Sequence, residues 1–183
     1  MNYQTYKNTR DASWCFLIEH KVNSLPLNLK KIVADMGIFV RRDNRGILNH
    51  NEMGLTVETD KEILIIVRES DIHQTRYTIS HELGHITLGH LRKDFVTKDD
   101  EYSAERFAIG ILAPACVLWG IGIKSAEDIA ELCNISISSA RKRAVRMNEL
   151  YSRNKFLTSV LERKVYEQFS DFILLSVHNR NKK

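Results

Sequence analysis

The sequence predicts an α+β fold in which helices precede and follow a small set of strands. Apolar residues at helical spacing open the chain, three short runs rich in Ile, Val, Leu and Phe come next, and helical periodicity resumes from about position 70. No internal repeat and no linker rich in Gly, Ser or Pro interrupts that order.

The elements follow in chain order. From about Asp11 to Val22, Trp14, Leu17 and Ile18 among charged neighbours predict a first helix. Pro26 opens a second, with Leu29, Ile32 and Val33 on one face and Gly37 as its stop. Ile38-Phe39-Val40 predicts a strand, and Leu55-Thr56-Val57 and Ile63 to Val67 predict two more, joined as a hairpin across Glu58-Thr59-Asp60-Lys61. Ser70 or Asp71 can cap a helix over 72–88, which Gly89 ends. Asp99 or Asp100 can cap the next, ending at Pro114. Ser125 and Asp128 resemble a capping box before a further helix, and Ser136 can cap another through Leu150. Beyond Asn154, apolar residues at 156, 157, 160, 161, 165 and 169 predict a helical tail. The isolated aromatics Trp14, Trp119, Phe156, Tyr166, Phe169 and Phe172 read as packing anchors.

Composition narrows the function classes. With 183 residues, 43% hydrophobic and 27% charged, the chain suits one globular domain, or a domain with a small helical appendix. That apolar content excludes a disordered chain, and 8 Gly with 2 Pro exclude collagen-like sequence. A net charge of +4 does not by itself imply nucleic acid. The 3 cysteines are far apart and not in CxxC spacing, which argues against a disulfide framework or a cysteine-based zinc site and favours a reducing compartment. The start MNYQTYKNTRD has no apolar signal core, and Phe107 to Ile123, 17 residues without a charge, is broken by Pro114 and three glycines. The expectation is a soluble cytoplasmic protein with no membrane partner.

Three of the 7 histidines fall between positions 81 and 90, and two of them form His81-Glu82-Leu83-Gly84-His85, an HExxH pattern. On a helix, residues four apart are separated by about 40° around the axis, so both imidazoles leave one face and can share a cation. Glu82 lies about 60° from His85, near enough to act as general base toward a water held there without becoming a ligand. Two histidines and a glutamate so spaced are the donor set of a zinc hydrolase, making His81 and His85 ligands and Glu82 the catalytic base. The competing reading is an ordinary helix with two satisfied histidines. Gly84 argues against it, because glycine inside a helix costs about 1 kcal/mol relative to alanine and a close approach would explain its presence. Ile79, Leu83 and Ile86 recur at helical spacing and are expected to form the buried side.

Zinc hydrolysis also requires a third protein ligand and an open position. His90 follows His85 by five residues, and the metzincin pattern would need Gly and His where Leu88 and Leu91 stand. His90 is therefore expected to back the ligands or to be an ordinary loop histidine. The acidic candidates are Asp94, Asp99, Asp100, Glu101 and Glu105. On a helix from Asp100, Glu101 shares a stripe with Ala104 and Ala108, small residues that permit close approach to the HExxH helix. Glu105, about 40° away, is not excluded by spacing. His90, Tyr77 and Tyr102 are candidates for stabilising an oxyanion.

These segments resemble the ImmA/IrrE family of metallopeptidases. The resemblance rests on His81-Glu-Leu-Gly-His85-Ile-Thr-Leu-Gly-His90 and on Glu101-Tyr-Ser-Ala104-Glu-Arg-Phe107-Ala108-Ile-Gly-Ile-Leu112-Ala-Pro114. It spans about residues 25 to 150 and is specific over those two motifs. It implies a small zincin-like core of gluzincin type, Zn²⁺ held by His81, His85 and Glu101, and catalysis by Glu82. It also implies cleavage of an intracellular helix-turn-helix repressor, relieving repression in a mobile element or a stress response. The sequence departs from the family at Glu105, where Asn is usual, which keeps Glu105 as an auxiliary acid, and at Ala113, where Met is usual. On this reading residues 1–124 form the peptidase core, 125–150 a helix-turn-helix-like pair, and 151–183 a helical tail.

That pair carries the densest basic stretch, Arg141, Lys142, Arg143 and Arg146, after a turn at Asn134. Placed in a DNA major groove, these cations would contact phosphates. Otherwise they form the solvated face of a helical pair packed on the core. The alternative to a protease is thus a regulatory binding module that contacts a repressor or DNA without cutting anything.

Overall fold

The computed structural model describes residues 3–182. Packing divides the chain into two units. The first takes the chain up to Thr9 together with Asn28–Ala108, and the second takes Arg10–Leu27 and the chain from Ile109 onward. Helices α1 (Tyr3–Glu19) and α4 (Lys98–Leu112) therefore contribute residues to both.

The first unit contains a three-stranded sheet of β1 (Ile38–Arg42), β2 (Gly54–Glu58) and β3 (Ile63–Val67), in the order β1-β3-β2. β1 runs parallel to β3 and β2 antiparallel to it, with Thr56 opposite Ile65. The central position explains why β3 is five apolar residues in a row, with Ile65, Ile66 and Val67 all buried. Thr59 closes the expected hairpin: its backbone N–H donates to Glu62 O at 2.9 Å, and its hydroxyl accepts from the N–H groups of Lys61 and Glu62.

Helix α2 (Leu29–Asp35) starts after Pro26 rather than at it, because Asn28 supplies the cap by accepting from Lys31 N. Helix α3 (Ile72–Thr87) is capped by Asp71, which accepts from Gln74 N, and the left-handed Gly89 stops it. A 3₁₀ turn, His90–Arg92, follows directly. The buried side of α3 differs from the expected one. Ile79 and Ile86 are only half-buried, while Thr78, Ser80, Glu82, Leu83, Gly84 and His85 are buried. The reason is two-sided packing. Gly54 of β2 has no room for a side chain, since a Cβ there would lie 2.5 Å from Thr78 Cγ2 and 3.0 Å from Glu82 Oε1. On the other flank, a Cβ at Gly84 would lie 3.0 Å from Ala104 Cα and 3.2 Å from Phe107 Cδ1. Small and polar residues fill α3 where strand and helix come this close.

Helix α4 begins at Lys98, two or three residues earlier than a cap at Asp99 or Asp100 would set it. Thr97 and Asp100 form a capping box: Asp100 Oδ2 accepts from Thr97 N at 2.9 Å, and Thr97 Oγ1 accepts from Asp100 N at 3.2 Å. Asp100 thus acts from inside the helix rather than as its N-cap.

In the second unit, α5 (Ala115–Ile121) was not expected from the sequence; it starts on Pro114 without a polar cap and ends at the left-handed Gly122. The apolar run 107–123 is thereby split between two helices, and most of the run is buried. Helices α6 (Ala126–Cys133) and α7 (Ile137–Ser152) are capped by Ser125 and Ser136 as expected, with Asn134 left-handed between them. The tail forms two helices, α8 (Val160–Gln168) and α9 (Ser170–Arg180), rather than one. Trp119 stacks on Phe156 at 5.3 Å, and Phe169 is fully buried, so these aromatics pack as expected. Helix α1 runs from Tyr3 rather than Asp11; its first turns lack an apolar stripe and are polar, with Gln4 donating to Asn8 Oδ1 at 2.7 Å.

The Gly84 contact yields a test. A valine there must push α3 and α4 apart, so Gly84→Val is expected to lower stability by about 1–3 kcal/mol, read as a drop in thermal midpoint.

Candidate metal centre

Helix α3 presents His81 and His85 one turn apart, and the first turn of α4 brings Glu101 to meet them. His81 Nε2 lies 3.0 Å from His85 Nε2 and 3.1 Å from Glu101 Oε2. His85 Nε2 lies 3.5 Å from Glu101 Oε1. Among the described residues, these three form a group whose donor atoms all lie within 4.8 Å of one another. A tetrahedral ion with ligand bonds of about 2.0–2.1 Å has donor–donor edges of about 3.3 Å, so the observed separations fit one. The chemistry of the set fits too. Three lone-pair-bearing atoms converge, and two imidazole nitrogens at 3.0 Å need a shared proton or a cation between them. Burial, reinforced by the charge of His81, pulls the His85 imidazole down to about 4, so it is neutral and able to ligate at pH 7. The carboxylate of Glu101 is half-exposed, which leaves the group open to solvent on one side.

Glu82 is buried on the flank that faces the sheet. Its Oε2 accepts a hydrogen bond of 2.6 Å from Thr56 Oγ1 on β2. Burial raises its proton affinity above the usual carboxylate value, opposed by the Thr56 hydroxyl and by His81. A carboxylate held in one orientation and made more basic than usual has the properties of a general base. Thr56 was not singled out from the sequence. The period-2 alternation from Gly54 puts both residues on one strand face, but only the tertiary structure shows that this face meets α3.

His90 is not in the donor group. It is buried behind His85, Nδ1 to Nδ1 at 3.1 Å, and its Nε2 lies 3.4 Å from Asp100 Oδ1. This removes it from the oxyanion candidates and agrees with a backing role. Asp100, weighed as a ligand from the sequence, instead faces His90, Lys93 and Thr97. Burial pushes its carboxyl up, but Lys93 and the Thr97 N–H and hydroxyl outweigh that and hold it well below the usual range. Glu105 is exposed and outside the donor group; its charge instead acts on Tyr77, whose phenol burial and Glu105 together push up to about 12. The Tyr77 ring stacks on His81 with centroids 6.4 Å apart, and Tyr102 is exposed. Asp94 and Asp99 are exposed and also outside the group.

The basic stretch on α7 is divided. Arg141 and Lys142 are exposed. Arg143 turns inward and donates to the carbonyl of Ile109 at 2.6 Å, near the end of α4, and Arg146 pairs with Glu149 at 2.5 Å. Arg143 is thus set apart from Arg141 and Lys142, which reach solvent.

No protein-family model matches the chain, and a search of curated proteins gives no match. A comparison with solved structures gives a Mycobacterium tuberculosis transcriptional regulator at a TM-score of 0.55 and 14% sequence identity. The match covers 74% of this chain and 46% of that chain, so this chain spans less than half the length of its structural neighbour. At that identity the likeness concerns the fold alone, an α+β arrangement with a small mixed sheet.

The division of the basic stretch has a measurable consequence. Arg143→Ala is expected to lower stability by about 1.5–3 kcal/mol, since it strips a charge-assisted hydrogen bond from a partly buried carbonyl. Arg141→Ala and Lys142→Ala should stay within about 0.5 kcal/mol in the same denaturation experiment.

Proposed function

We propose that this protein is a zinc-dependent endopeptidase with a gluzincin-like centre, in which His81, His85 and Glu101 hold Zn²⁺ and Glu82 is the catalytic base. The convergence of three donor atoms beside a buried, hydrogen-bonded carboxylate carries the reading. When bound, Zn²⁺ supplies Lewis acidity, polarising a carbonyl and acidifying water. The chain supplies the proton traffic. Water adds to the scissile carbonyl carbon as the Glu82 carboxylate takes its proton. The C–N bond then breaks as Glu82 delivers that proton to the leaving amine nitrogen. Thr56 holds the carboxylate in place throughout.

The substrate class draws on the resemblance to the ImmA/IrrE family: an intracellular helix-turn-helix repressor whose cleavage relieves repression, in the cytoplasm. The regulatory setting of a mobile element or a stress response comes from the same source. A binding module acting on a repressor or DNA without cleavage remains the contrasting reading, favoured by the exposed Arg141 and Lys142 next to the left-handed turn at Asn134.

The deciding experiment incubates the zinc-loaded protein with a helix-turn-helix repressor from the same genome. Wild type should cut it, and Glu82→Gln should bind zinc normally yet cut at least about a hundredfold more slowly. Cleavage retained in Glu82→Gln would remove Glu82 from the mechanism, and repressor or duplex binding without cleavage would favour the binding module. Thr56→Val should slow cleavage about tenfold through kcat rather than KM, with Thr56→Ser restoring it, because one charge-assisted hydrogen bond is at stake. Chelation should stop cleavage and lower the thermal midpoint, and added Zn²⁺ should restore both in wild type but not in His81→Ala.

A further inference from the structure

The histidine that spacing excludes from the metal has two partners of its own. Gly89, at φ 72°, ends α3 and turns the chain so that the 3₁₀ segment places His90 behind His85. His85 offers Nε2 to His81 and Glu101 and turns Nδ1 away from them, to His90 Nδ1 at 3.1 Å. His90 in turn points Nε2 at Asp100 Oδ1, 3.4 Å away. Lys93 Nζ meets the same oxygen at 2.5 Å, and Thr97 donates to Oδ2 from its N–H and its hydroxyl. His90 and Asp100 are both buried.

A neutral imidazole carries one proton, so each position in this line restricts the next. A carboxylate beside His90 Nε2 favours N–H there over a lone pair. That leaves a lone pair on His90 Nδ1, which accepts from His85 only if His85 carries its proton on Nδ1. The lone pair of His85 is then on Nε2, the atom that faces His81 and Glu101. Reversing one imidazole alone would set two N–H groups or two lone pairs against each other at 3.1 Å, and reversing both would turn the His90 Nε2 lone pair toward the Asp100 carboxylate. His81 lacks this support: its Nδ1 is buried without a hydrogen-bond partner.

We propose that His90 is a positioning residue for the metal ligand His85, and that Asp100, facing His90 directly and His85 only through it, sets the proton arrangement of both imidazoles. This rests on the metal centre proposed above and extends it to residues that touch neither the ion nor a substrate. Metal-ligating histidines gain basicity and orientation from the acceptor behind them, and loss of such a partner weakens metal binding about 10- to 100-fold. Here the acceptor is itself a histidine, so the carboxylate acts through it.

The test is Zn²⁺ affinity of the full chain, measured by competition with a chromophoric chelator, with melting curves of each apo variant to confirm folding. His90→Ala should bind Zn²⁺ about 10- to 100-fold more weakly than wild type. His90→Gln presents an amide oxygen to the His85 Nδ1–H and needs no tautomer set for it, so it should recover most of that loss. Asp100→Asn should weaken binding in the wild-type background and have little effect in the His90→Gln background. Unchanged affinity in a folded His90→Ala, or equal effects of Asp100→Asn in both backgrounds, would overturn the proposal while leaving the metal centre intact. If His90→Ala does not fold, the two Asp100→Asn comparisons decide. Wild type that binds no Zn²⁺ would overturn the metal centre and this inference together.

Discussion

The centre depends on the near-contact of two helix backbones at Gly84 and Ala104. Two donors stand on α3 and the third on α4, so the separation of those helices fixes whether three atoms can share one ion. With a Cβ position at Gly84 only 3.0 Å from Ala104 Cα, the helices are as close as backbone allows. Glu101 lies one turn before Ala104 and His85 directly after Gly84, so the contact and the ligands form a single local unit. The same closeness explains the composition of α3. Where helices or strands approach this tightly, glycine, serine and threonine occupy positions that a looser helix would give to leucine or isoleucine.

Burial then acts on the site in two directions at once. It withdraws protons from His85, whose charged form is disfavoured, and retains them on Glu82, whose neutral form is favoured. Both outcomes suit the proposed hydrolysis, one by keeping a candidate ligand neutral and the other by strengthening the proposed base. The sheet contributes through β2: Gly54 lets the strand lie against α3, and two residues further on, on the same face, Thr56 meets Glu82. On the proposed mechanism the small sheet is thus part of what positions the base.

The helical order, the hairpin, the caps at Asp71, Ser125 and Ser136, and the stops at Gly37 and Gly89 were legible because each depends on residues adjacent in sequence. His81, Glu82 and His85 were legible for the same reason, since helical spacing alone puts them together. Glu101 could be narrowed to a stripe but not separated from Glu105, because that distinction depends on which face of α4 meets α3. Thr56, the inward turn of Arg143 and the partners of His90 were not legible, since each pairs with a residue on another element. Helix α5 escaped notice because its apolar run has neither a polar cap nor a helical period, and burial on most sides removes the amphipathic signal.

Asp100 joins the two halves of the site in a way that neither motif reveals. Three residues after the Thr97 cap, it closes the capping box that fixes where α4 begins, and so the direction in which its neighbour Glu101 leaves the helix. Through its other oxygen it faces His90, which stands behind His85. One carboxylate therefore touches the support of a ligand on each helix. Lys93, at the edge of the 3₁₀ turn, keeps it ionised and ties that turn to the start of α4. A loop of irregular chain between two helices would ordinarily be free to drift. Here both of its ends are tied to the same buried side chain, which makes the spacing between the HExxH helix and the glutamate helix a property of the connection as well as of the helix contact.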